Sequence, residues 1–274
     1  MDYLYHYTSL EALKCILENE TIRLKPLSTL DDMEEALSKD CKGIGDYVFV
    51  SSWSGEQKEM IPMWYMYGDS YKGVRIGLPK MPFRRYQYTP LEQRNHGVIP
   101  NDEKDLEIDL PLKDVCNPNY IVSPFKRDHQ LIEVLYDNDP DLLIRQLWYD
   151  TDEAVSFSYG KMGKYKNKYW SFQKEWRYIV TIMPISFDMA NKYIQYAPER
   201  LKDFFEKVSS GVIPCPFDHY DLSIDNEMLS KMEITLGPLM SEEDRVTVHR
   251  IINEKGCPIL VKDSELDGRI RSNH

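Results

Sequence analysis

His6 stands between Tyr5 and Tyr7 in a run that continues through Thr8 and Ser9. An imidazole, aromatic faces and hydroxyls are therefore gathered just before an expected helix N-terminus, where unpaired N–H groups form a positive dipole end. Such a set can hold a ribose and a nicotinamide, although a lone histidine is more often structural. Far along the chain, Gln173, Lys174 and Glu175 sit in a strand-like run from Trp170 to Ile182. Alternation places Gln173, Glu175 and Arg177 on one face, with Phe172, Lys174, Trp176 and Tyr178 on the other. A carboxylate there can stabilise developing positive charge, or form a plain surface ion pair with Arg177. Ser51, Ser52 and Ser54 surround Trp53 at a strand end, where their hydroxyls can serve a ligand or cap the turn. Lys161, Lys164, Lys166 and Lys168 interleave with Tyr159, Tyr165, Tyr169 and Trp170. That spacing can grip phosphates and stack bases, or it can be a solvated loop.

The common nucleotide and metal signatures are missing. Gly43 and Gly45 form a GxG followed by strand-like rather than helical residues, so no Rossmann cradle is expected. Cys15, Cys41, Cys116, Cys215 and Cys257 are scattered and odd in number. They read as reduced thiols in a cytoplasmic protein, with neither a structural metal nor a disulfide expected. The net charge of −11 disfavours nucleic acid and acidic membranes as partners for the whole surface. Neither a signal segment nor a run of the ~18 apolar residues that a membrane span needs is visible.

Positioning these residues requires a sizeable core, and 274 residues with 42% hydrophobic content can build one. The 19 tyrosines and 5 tryptophans suit pockets, partner surfaces or a Tyr-rich core. Tyr3–Tyr7 reads as a first strand, followed by a helix opened by a Thr8/Glu11 capping box. Thr21–Leu24 is expected as a strand and Leu30–Leu37 as an acidic helix. Tyr47–Trp53 is the clearest early strand, then Pro62 opens a helix over Met63–Tyr67, and Gly73–Leu78 forms a buried strand. Frequent prolines from Pro79 to Pro124 predict an irregular insertion of short strands. Asp128–Tyr136, Asp139–Tyr149 and Pro198–Val208 read as helices. Ser241 and Asp244 open a last helix that Gly256 stops, before a strand at Pro258–Val261. Mixed elements without a strict βαβ rhythm indicate an α+β fold. Trp53 and Trp64 are expected inside, with Lys164 and Lys166 outside.

The run Tyr5-His6-Tyr7-Thr8-Ser9, the segments Tyr47–Ser54, Met63-Trp64-Tyr65 with Gly73–Leu78, Phe172–Tyr178, and Ile234-Thr235-Leu236-Gly237-Pro238 together resemble the bacterial family called domain of unknown function 2971. That likeness spans nearly the whole chain around a variable middle, and confers no activity by name. A strand ending in His-Tyr-Thr before a helix is also similar to the first motif of ADP-ribosyltransferases of the His-Tyr-Glu type.

This second resemblance implies an ADP-ribosyltransferase-like split mixed sheet with flanking helices, in one domain over 1–274 with a variable insertion over 79–160. It implies that NAD is the substrate, that His6 and Glu175 are catalytic, and that no metal takes part. His6 would hold the nicotinamide ribose. Ser51 to Ser54 or Tyr65 would supply the second element, with Tyr7, Thr8 and Gln173 also facing the nucleotide. A macromolecular acceptor follows, in bacterial anti-phage defence, toxin action or regulation. The alternatives are an inactive nucleotide-binding or protein-interaction module of the same fold, and a nucleic-acid-processing enzyme.

Overall fold

The computed structural model describes residues 2–123, 131–150, 155–157, 162–196 and 198–271. Among these, the fold is α+β around a mixed sheet of ten strands. The strands are β1 (Tyr3–Thr8), β2 (Thr21–Pro26), β3 (Val48–Ser54), β4 (Val74–Pro79), β5 (Ile121–Val122), β6 (Leu131–Glu133), β7 (Glu175–Met183), β8 (Tyr220–Ser223), β9 (Glu233–Leu236) and β10 (Leu260–Asp263). The main path runs β8-β2-β3-β1-β4-β9-β10, while β7 lies along β3 and also pairs with β5 and β6. Within this sheet every pairing is antiparallel except β9 with β10. A parallel pair needs a crossover, supplied here by the helix Glu242–Lys255.

One edge of β3 decides where a cleft can form. Along its other edge β7 pairs continuously, from Glu175 opposite Ser54 to Thr181 opposite Val48. On the first edge, β2 pairs only at Phe49 and Val50, and β1 only at Ser54. Between them, Ser51–Trp53 have no strand neighbour on that side, so the sheet is split there. The helix α1 (Leu10–Asn19) joins β1 to β2 and spans the gap. Its Leu13 and Leu17 pack with Leu4, Ile76 and Ile234 of the sheet and with Val248 and Ile252 of a helix called α5 (Glu242–Lys255). The helices between them include α2 (Ile61–Met66), α3 (Phe187–Tyr196) and α4 (Pro198–Ser209). Phe204 and Val208 of α4 cover Val48, Val50 and Met183 on the opposite face.

The N-terminus of α1 lies one residue later than its sequence suggests. Ser9 is the cap, and its hydroxyl accepts from the Ala12 N–H at 3.2 Å. Ser9→Ala should therefore cost about 1 kcal/mol of stability, with Thr8→Ala costing less; chemical denaturation of both variants checks the assignment. The last helix is as expected, with Ser241 accepting from the Asp244 N–H and Gly256 at φ 70° ending it. Gly73 is fixed by a different need, because a Cβ there would lie 2.1 Å from the Thr8 carbonyl oxygen. The turn before β4 can reach the end of β1 only without a side chain.

Four expected elements differ. Leu30–Leu37 holds only a 3-10 turn at Met33–Ala36, capped by Asp32. The segment Asp128–Tyr136 was read as helix; its first three residues lie outside the described ones, and Leu131–Tyr136 is extended: β6 joins the main sheet, and Leu135–Asp137 pairs with Tyr165–Asn167. Cross-strand partners there override a mixed local preference. Asp139 does cap a helix, but it ends at Leu143, and Trp148–Asp150 is a strand. The strand-like run at Trp170 begins instead with a 3-10 segment, Lys168–Gln173, and a left-handed Lys174 at φ 47° before β7 starts.

Candidate functional site

The split in the sheet opens into a cleft of about 780 Å³ beneath α1. His6, Ser52, Gln173 and Glu175 all line it. Tyr5 and Glu175 flank Ser54 in one cross-strand row, so alternation sends His6 and Glu175 to opposite faces of a continuous sheet. They meet in one space because β1 leaves β3 immediately beyond that row. Ser52 ties the two sides together. Its carbonyl, which has no strand partner in the gap, accepts from His6 Nδ1 at 2.9 Å. That bond places the remaining proton on Nδ1 and leaves Nε2 as an acceptor. Burial lowers the His6 pKa, against the opposing effect of the Ser52 carbonyl. The ring packs 5.1 Å from Trp53 and is neutral near pH 7.

Glu175 is 4% exposed and belongs to a buried charge cluster that also holds Glu35, Lys166 and Arg177. Arg177 Nε donates to Glu175 Oε1 at 2.6 Å, and Lys166 Nζ donates to Oε2 at 3.3 Å. Arg177 Nη1 lies 2.6 Å from Glu35 Oε2, an ion pair whose direction departs from hydrogen-bond geometry. Burial alone would raise the Glu175 pKa, but Arg177 and then Lys166 overcome it and hold the carboxyl below its usual range. Glu35 goes the other way, because burial outweighs the same two cations. The Glu175 backbone is also fixed, its N–H donating to the Tyr136 hydroxyl at 2.9 Å.

Tyr7, Thr8 and Ser51 also line the cleft. Tyr7 is nearly buried, accepting from the Met60 N–H and packing edge-on against Trp64. Ser51 is engaged by Trp53 Nε1 at 3.1 Å, which makes it a support for that ring. Ser54 instead accepts from the Glu56 N–H, as a turn cap does. Tyr65 does not reach the cleft. It is 61% exposed and packs against Tyr71. Helical geometry explains this: positions two apart differ by about 200°, so Tyr67 faces inward where Tyr65 cannot. Tyr67 lines the cleft, donating to Asp31 Oδ2 at 2.7 Å and accepting from Gln173 Nε2 at 2.6 Å. Gln173 is buried and its Oε1 has no partner among the described residues.

Trp53 and Trp64 are buried as expected, at 2% and 0% exposure. Lys166 is not outside but 4% exposed, placed by the pairing of Tyr165–Asn167 with Leu135–Asp137 and lying over the Trp170 ring. Lys164 is half-buried and Lys168 is exposed. With Lys166 given to two carboxylates, these lysines do not form one solvent-facing stripe. Tyr159 and Lys161 of that patch lie outside the described residues. The Glu175–Arg177 pair, one reading of which was a surface contact, is buried.

Glu35, Lys166 and Tyr67 were not picked out by sequence reasoning as members of the site. Tyr67 could have been, since Met63, Trp64 and Tyr67 share helical spacing. Nothing local in the sequence links Glu35 to Glu175. All five cysteines are free. Among the described residues no cluster of three or more His, Cys, Asp or Glu is placed to hold a metal, and no helix is long and apolar enough to cross a membrane. Comparison of the chain with protein-family models, curated proteins and solved structures finds no match.

Proposed function

We propose that the cleft beneath α1 binds NAD, and that the protein is an ADP-ribosyltransferase-like enzyme modifying a macromolecular acceptor. The observation that carries this reading is the convergence of His6 and Glu175 in one cleft through Ser52. A neutral imidazole with Nε2 free can accept from a ribose hydroxyl. Breaking the bond between ribose C1′ and the nicotinamide nitrogen sends the electron pair to the leaving ring and builds positive charge on the ribose. A fixed carboxylate in a water-poor site stabilises that charge. Glu175 suits this electrostatic role better than that of a base, because its pKa is held low. The acceptor's nucleophile then bonds to C1′, its proton passing to solvent or a nearby base.

A second reading rests on the partners of Glu175. Both oxygens already face cations, so the carboxylate's charge is largely compensated within the cluster. On this reading the cleft is the site of an inactive nucleotide-binding module. Release of nicotinamide separates the two, since only the enzyme produces it.

His6→Ala tests the binding role in either case. Loss of one ribose-holding acceptor should weaken NAD about tenfold, measured by calorimetry. The wild-type affinity should hold from neutral pH down to about 6.5, the usual histidine value, and fall only as pH drops further, because the His6 pKa lies lower. Stability follows the same sign: neutral burial of His6 contributes above its unfolded pKa, and that contribution is lost as pH falls through the folded value. Affinity unchanged by His6→Ala would remove His6 from the site.

A further inference from the structure

A second cleft, of about 670 Å³, lies beside β1, β4, β9 and β10, and shares Tyr5 with the first. Its walls include Tyr5, Arg75, Lys80 and Trp176. Arg75 is the unusual member. It is 3% exposed, and its guanidinium stacks 3.7 Å from the centre of the Tyr5 ring. Nη2 donates to the Glu56 and Gln57 carbonyls. Those two are its only acceptors among the described residues, and Nε is buried without one. No described carboxylate is within ion-pair distance of it, whereas Lys262 is held by Glu233 at 2.8 Å and Lys80 by Asp2 at 3.5 Å. A buried cation without a counter-charge is costly, and a bound anion relieves that cost.

We propose that this second cleft binds a small organic carboxylate, with Arg75 meeting the carboxylate, Lys80 at its side, and the Tyr5 and Trp176 rings taking an apolar or aromatic body. Guanidinium geometry matches a carboxylate's two oxygens. Lys80, one third exposed and 4.3 Å over the Trp176 ring, can swing from its long contact with Asp2 to the ligand. Carboxylates outnumber cations by two in the lining, so like-charge repulsion selects a monoanion over a phosphate ester. The site is independent of the NAD reading, because neither Arg75 nor Lys80 lines the cleft beneath α1.

Sodium benzoate, phenyl phosphate and benzylammonium, each titrated into the full chain by calorimetry, test this. Benzoate should bind, phenyl phosphate more weakly, and benzylammonium not at all. Arg75→Met should weaken benzoate about tenfold or more, with Arg75→Lys in between. Lys80→Met should weaken it severalfold. Since Arg75 also holds the Glu56–Gln57 turn, Arg75→Met can lose its fold; Lys80→Met, at a half-buried position, then carries the test. The proposal is overturned if benzylammonium binds in place of benzoate, if phenyl phosphate binds more tightly, if benzoate does not bind, or if folded variants bind it as well as wild type does.

Discussion

Replacing Glu175 by Gln should leave NAD binding within a few-fold of wild type while nicotinamide release falls by about 10²- to 10³-fold, the scale of losing one preorganised electrostatic group. The substitution keeps shape and hydrogen-bonding capacity but removes the negative charge. In the ground state NAD carries its charge on the nicotinamide ring, and only as the glycosidic bond breaks does it develop on the ribose. The loss should therefore appear in kcat rather than KM. Folding must be followed alongside, because Glu175 also balances Arg177 and Lys166. Glu35 still faces both cations, which limits the damage. If Glu175→Gln is folded and releases nicotinamide at the wild-type rate, Glu175 is a structural carboxylate.

Arg177→Met should have the largest effect on stability, about 3–5 kcal/mol, because it leaves two buried carboxylates with Lys166 alone. The pH dependence gives the sign of the cause. Burial already raises the Glu35 pKa in the intact cluster, and removing Arg177 raises it further. A carboxyl with a folded pKa above its unfolded one favours folding where it is protonated, and that contribution is lost as pH rises through the folded value. The deficit of Arg177→Met against wild type should therefore shrink on acidification toward pH 5 and be greatest at neutral pH. Denaturant midpoints across that range decide it; a deficit independent of pH would indicate lost packing rather than uncompensated charge.

His6, Ser52, Gln173 and Glu175 were visible in the sequence because residue type and local strand pattern coincide at both ends of the site, with a helix start adjacent to His6 as well. What brings them together was not visible. The split depends on where β2 stops pairing with β3 and β1 begins, at Val50 and Ser54, a register that no local signal records. Tyr65 was an expected second element because it adjoins Trp64, yet the rotation of about 200° between positions two apart turns it outward and brings Tyr67 in. Lys166 read as a solvated lysine among glycines and tyrosines. Its burial follows from a parallel pairing with Leu135–Asp137 and from two acidic partners distant in sequence. The middle of the chain was legible only as irregular: the prolines forecast short elements, but the extended path at Leu131–Asp137 is set by its partners β7 and Tyr165–Asn167.

An NAD site with glycosidic-bond chemistry in the split of the sheet would show itself in two readings taken on one sample. Wild-type protein is titrated with NAD by calorimetry, and free nicotinamide in the same mixture is quantified by chromatography over time, with His6→Ala and Glu175→Gln run beside it. Saturable binding and a slow release of nicotinamide are expected, both reduced in His6→Ala and only the release lost in Glu175→Gln. Wild-type protein that neither binds NAD nor releases nicotinamide, with or without a cell extract to supply an acceptor, would contradict the NAD reading.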